Sequence, residues 1–185
     1  MFVSKPSPQK QERLRALVEN PRRRRFWAAR SRRRQAVVAF ALAIVLAAAL
    51  FSTAVVAGPP SSTVLVIGFA LSLGASTVIS THINIAARWV VGYEGVDEFQ
   101  RAEMDHAAHV GHNVTAALLV LLIAVTCGFG GWLSLGHMDA RIPLAVLVPL
   151  VILATFCHTA FPACYLAWTR PDEIPDEEDT DDEDA

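Results

Sequence analysis

Between Asp97 and His112 the chain reads Asp-Glu-Phe-Gln-Arg-Ala-Glu-Met-Asp-His-Ala-Ala-His-Val-Gly-His, the densest run of ionisable side chains between two long apolar regions. At ~100° per residue, Glu98, Arg101, Asp105, His109 and His112 fall within about 80° of one another on a helix and form a single polar stripe. Carboxylate and neutral imidazole together suit Zn²⁺ and similar ions. Two histidines on facing helices suit haem. Aspartate and histidine inside a membrane also serve proton relays and small-substrate paths. Two further histidines, His82 and His158, lie in other apolar segments. Counted at ~1.5 Å per residue from the segment ends, His82, His109, His112 and His158 stand roughly 6–15 Å into a bilayer. The candidate metal or haem set is therefore His82, Asp105, His109, His112 and His158. The alternative is structural: the upper groups are wet or ion-paired at spacings of four, and the lower ones bond to Ser, Thr and Asn of a neighbouring helix. An Asp-x3-His-x2-His spacing does not choose among these.

The elements that position the stripe follow from charge and hydropathy. Of 185 residues, 53% are hydrophobic, above the ~45–50% usual for a soluble domain. The 16 basic and 18 acidic residues are segregated. All bases except Arg88, Arg101, Arg141 and Arg170 precede Gln35, and ten of the acids follow Pro171. The expected organisation is a basic arm over 1–34, a transmembrane domain over 35–170 and a disordered acidic tail over 171–185.

Four apolar runs, at about 36–57, 64–87, 105–127 and 143–168, are each long enough to cross a ~30 Å hydrocarbon core. The first exceeds the ~7–15 residues of a signal-peptide core and reads as an anchor. Gly58-Pro59-Pro60 makes a tight turn into the second run. There Gly68, Ser72, Ser76 and Ser80 form a small-residue stripe that lets another helix approach. Asp97 is the expected N-cap of a third helix that ends at Gly128, Gly130 and Gly131. Pro149 and Pro162 fall inside the fourth, where neighbours must satisfy the carbonyls they free.

The fold class expected is all-α, an integral membrane bundle of four transmembrane helices with the third extended into the cytoplasm. The arginine-rich arm places both termini on the cytoplasmic side. Arg22, Arg23, Arg24, Arg25, Arg32, Arg33 and Arg34 are assigned to anionic lipid head groups, a reading preferred to nucleic acid because they abut a membrane span. The oppositely charged arm and tail also invite a contact within or between chains.

Cys127, Cys157 and Cys164 fit neither a disulfide framework nor a thiolate metal box and read as small apolar residues. There is no glycine-rich phosphate loop, serine nucleophile elbow or paired Cys/His nucleophile.

Two spans, an Arg88-Trp89 end, the motif Asp97-Glu98-Phe99-Gln100-Arg101 and two further spans resemble a group of small bacterial four-helix membrane proteins. In that group an Asp-Glu-x-Gln-Arg motif opens the third helix on the cytoplasmic side. The resemblance covers about 88–168 and departs at His106, His109 and His112, where apolar residues are expected. It implies the fold and topology, and no activity; the location expected is a bacterial inner membrane. The functional expectation is a non-enzymatic accessory or interaction protein, homo-oligomeric or part of a larger membrane complex. The alternatives are a metal- or haem-binding protein and a small oligomeric transporter.

Overall fold

The computed structural model describes residues 7–90, 93, 95–134, 136 and 139–172. Among them are six helices and no strand: α1 (Pro8–Val18), α2 (Pro21–Ala28), α3 (Arg30–Val56), α4 (Ser61–Ala86), α5 (Glu98–Ser134) and α6 (Arg141–Thr169). Helices α3 to α6 are long and apolar enough to cross a membrane. The short α1 and α2 begin at prolines, whose missing N–H costs nothing in a first turn. Asn20 caps α2 by accepting from the backbone N–H of Arg22 and Arg23. The expected disorder of the acidic tail falls mainly on 173–185, outside the described residues.

The four long helices form a row. α4 packs on α3, α3 on α6, and α6 on α5, with a lighter contact between α4 and α6. α4 and α5 stand at the two edges, with no substantial packing between them. All four meet only near one end, where Phe40, Ile44, Ile83, Ala87, Ala107, Ala160, Ala163, Leu166 and Ala167 make the buried core. Most of these are small because the hydrophobic effect does not press helices together in lipid; close van der Waals approach does. The small stripe of α4 is used this way: Ser72 and Ser76 are buried, and a Cβ at Gly68 would meet Leu50 of α3 at 3.2 Å.

Two local features explain how the prolines and the turn after α4 are accommodated. Pro149 cannot donate to the carbonyl of Ala145, and the Ser52 hydroxyl of α3 does so instead at 2.7 Å. At the end of α4, Trp89 N–H bonds to Asn84 O and Arg88 N–H to Ile85 O, the paired pattern of a Schellman cap. Arg88 takes the left-handed residue of that cap at φ 55°, a place where glycine is favoured. Trp89 is thereby folded back onto the core.

α5 departs from expectation at its far end. It runs on through Gly128, Gly130 and Gly131 to Ser134, 37 residues in all or ~55 Å. Each interior glycine costs up to ~1 kcal/mol relative to alanine. Breaking the helix where no water replaces its hydrogen bonds costs several kcal/mol per exposed group, so the helix persists. α3 likewise begins six residues earlier than the apolar run, because arginines 30 to 34 are helical.

Gly111 sets the spacing of α5 against α6, since a Cβ there would meet Pro162 Cγ at 3.0 Å and Cδ at 3.3 Å. Gly128 has open space around it. Gly111→Val should therefore cost roughly 1–3 kcal/mol of unfolding free energy in detergent, whereas Gly128→Ala should leave it unchanged or raise it slightly. Equal effects of the two changes would refute close packing at Gly111.

Candidate functional site

The residues that could do chemistry gather at the end of the row where the core lies. Two arginines organise it. Arg33, only 3% exposed, donates to the carbonyls of Trp27 and Ala28 at the end of α2 and to those of Arg170 and Pro171 at the end of α6. Helix C-termini carry unpaired carbonyls and partial negative charge, and the Arg33 guanidinium sits where two of them converge. Arg170 turns the other way. Its Nε bonds to Glu103 Oε2 of α5 at 2.8 Å and one terminal nitrogen to Ala87 O, the C-cap of α4, at 2.9 Å. The helices that begin at this end receive acids. Asp172 Oδ1 accepts from the first amide of α3, Arg30, and Asp97 Oδ1 accepts from Gln100 N–H as the expected cap of α5. Arg34 lies over the Trp168 ring at 4.8 Å, and Tyr93 bonds to Glu19 of α1 at 2.9 Å. Burial, then the Glu19 hydrogen bond and charge, raise the Tyr93 phenol above its ordinary pKa.

Arg33 thus departs from the expected head-group role: it is buried, because the ends of two helices need its donors more than lipid does. Neither Arg170 nor Glu103 stands out in the sequence as a site residue. Arg170 at the close of a span and Glu103 inside an apolar-flanked helix were the available signal. Arg22, Arg23, Arg24 and Arg25 are exposed, as is Arg32, which lies over Phe26.

The polar stripe of α5 is present and faces outward. Glu98, Arg101, Asp105, His109 and His112 are all exposed, while the seam against α6 runs through Ala107, Gly111 and Thr115. His109 lies opposite that seam, and Asp105 and His112, only about 20° apart in helical phase, lie on its flank. Because Glu103 pairs with Arg170 and Gly111 abuts Pro162, Asp105 stands level with Trp168. His109 is then about one helical turn deeper and His112 about two. The expected Asp105–His109 ion pair does not form. His109 Nδ1 instead bonds to the backbone carbonyl of Asp105 at 2.8 Å, and since a carbonyl only accepts, Nδ1 carries the proton.

The histidines do not converge. His82 lines a groove of about 530 Å³ with Arg22, Arg23, Phe26, Trp27 and Ile79. His112 and His158 line a different groove, of about 400 Å³ between α5 and α6, with Thr115, Leu119 and Ala154. Among the described residues no three His, Cys, Asp or Glu side chains come together as metal ligands, so the proposed set of His82, Asp105, His109, His112 and His158 is not one cluster within the chain.

The fold defines the class as an all-α protein with four helices fit to cross a membrane. The chain matches no protein-family model, no curated protein and no solved structure.

The Arg170–Glu103 pair is largely shielded, with side chains 13% and 29% exposed. A double-mutant cycle of Arg170→Gln and Glu103→Gln should give a coupling of about 1–3 kcal/mol, read by unfolding in detergent. Arg33→Gln should cost more than Arg32→Gln, because it strands buried carbonyls. Equal losses at 32 and 33 would contradict the clasp.

Proposed function

We propose that this chain is a non-enzymatic accessory or interaction protein of a bacterial inner membrane, with both termini in the cytoplasm. One observation carries the reading. Among the described residues α5, the longest helix, packs substantially only on α6, and only 6% of its most apolar stretch is buried within the chain. Its polar stripe is exposed, with His109 away from the α6 seam, Asp105 on its flank and His112 at the edge of the groove between α5 and α6. A polar face turned to hydrocarbon is costly, and a polar side chain from another transmembrane helix relieves it. The partner is a second copy or another helical membrane subunit. α4 presents a second open face, only 11% buried along its apolar stretch.

The orientation rests on the arginines from Arg22 to Arg34, which flank the first span and favour retention on the cytoplasmic side. The bacterial location rests on the resemblance of the Asp97–Arg101 motif and its flanking spans.

The test of association is mass in lipid nanodiscs or mild detergent. Wild-type protein should run above the mass of one chain, and an Asp105→Leu, His109→Leu, His112→Leu variant should fall to one chain with unchanged helix content. A wild type that is a single chain at every protein-to-lipid ratio, without a co-purifying subunit, would sink the proposal. For orientation, Gln9→Cys in a cysteine-free background should react with a membrane-impermeant maleimide only after permeabilisation, and Ser61→Cys before it. The reverse pattern would invert the topology.

A further inference from the structure

Arg33 does more than join helices: by holding the carbonyls of Ala28, Arg170 and Pro171 it places the end of α2 beside the start of the acidic tail. The Asp172 carboxylate already turns toward the arm, accepting from Arg30 N–H. Beyond it, residues 173–185 carry nine carboxylates and no base. On the other side of the Arg33 contact, α2 carries four consecutive exposed arginines, Arg22 to Arg25, and no acid in its sequence.

We propose that the acidic segment 173–185 docks on the exposed arginines that surround α2 in its own chain. Reach is ample. The arginine helix is eight residues, ~12 Å long, and the segment extends up to ~43 Å from an anchor at one end of that helix. A tether this short gives the tail an effective concentration in the millimolar range, which a free anion or a second chain must exceed. The interaction is a dense, exposed, multivalent charge contact, so it is sensitive to salt. Occupied by the tail, α2 is withheld from anionic lipid head groups and from acidic partners. The tail is thus the resident ligand of the arm.

The experiment uses the full chain with Cys127, Cys157 and Cys164 replaced by alanine and spin labels at Ala16→Cys and Thr180→Cys. It is held one chain per nanodisc in zwitterionic lipid. The expected result is a short, narrow distance distribution that lengthens and broadens from ~0.1 M to ~1 M salt, as the Debye length falls from ~10 Å to ~3 Å. The same lengthening should follow at low salt from Asp176→Asn, Glu177→Gln, Glu178→Gln and Asp179→Asn together, changes that leave the arm and its membrane insertion untouched. A distribution that is broad at low salt, or unmoved by salt and by the neutralised tail, overturns the proposal. So does one that narrows only with two chains per disc, which would give the tail to a second copy. Narrowing that vanishes in the neutralised tail but survives in anionic lipid would confirm that the tail outcompetes the head groups.

Discussion

Helix ends govern this structure. Four spans brought side by side leave orphan carbonyls and amides at each bilayer boundary, and a packed boundary excludes the water that would otherwise satisfy them. At the core end the chain answers with side chains of matching sign. The C-termini of α2, α4 and α6 receive the guanidinium groups of Arg33 and Arg170. The N-termini of α3 and α5 receive the carboxylates of Asp172 and Asp97. Each assignment agrees with the helix dipole, so hydrogen bonding and electrostatics act together. Burying Arg33 costs several kcal/mol of desolvation, and only a site with several carbonyl acceptors offsets that. The clasp adds hydrogen bonds across the helix ends to the van der Waals packing of the small-residue core beside it.

From that clasp the asymmetry of the row follows. The buried residues cluster beside it, and farther along the helices the contacts thin out until α4 and α5 are edges. Ala107, Ala160, Ala163 and Ala167 bring backbones close near the clasp. Toward the other end the large apolar side chains of α4 and α5, such as Val64, Leu71, Val120 and Ile123, face outward. Such a chain needs lipid or another helix as its second wall. A closed bundle would have buried those faces itself.

The spans, the turn at Gly58, the Asp97 cap and the close face of α4 were legible because each is a local matter of length, turn chemistry or spacing. The proline carbonyl was half legible: the need at Ala145 follows from Pro149, but that Ser52 meets it depends on which helix lies alongside. The clasp was not legible. Arg33 is one of a run of three arginines, and nothing in that run says which of them the ends of α2 and α6 will enclose. The helical phase decides, turning Arg33 inward with Phe40 and Ile44 while Arg32 points to water. Glycine at 128, 130 and 131 misled for a different reason. Its breaking tendency is calibrated in water, where freed backbone groups find solvent.

The same geometry narrows what the α5 stripe demands. Asp105 is level with Trp168 at the end of α6, and Glu98 and Arg101 lie farther out along α5. Of the stripe, only His109 and His112 lie deeper along the span. His109 returns its Nδ1–H to its own helix as buried serines and threonines do, which leaves its other ring nitrogen facing outward. The unmet polarity is therefore the outer nitrogen of His109, the ring of His112 and the exposed amide of Asn113. A path for ions or polar substrate needs polar groups along the whole depth of the bilayer, and below Asn113 the outward face of α5 turns to Ala116, Val120 and Ile123. A partner helix needs to offer only a few hydrogen-bonding groups, each adding on average ~0.6 kcal/mol and at most ~1.7. On the proposed reading, that demand is met by an interaction surface.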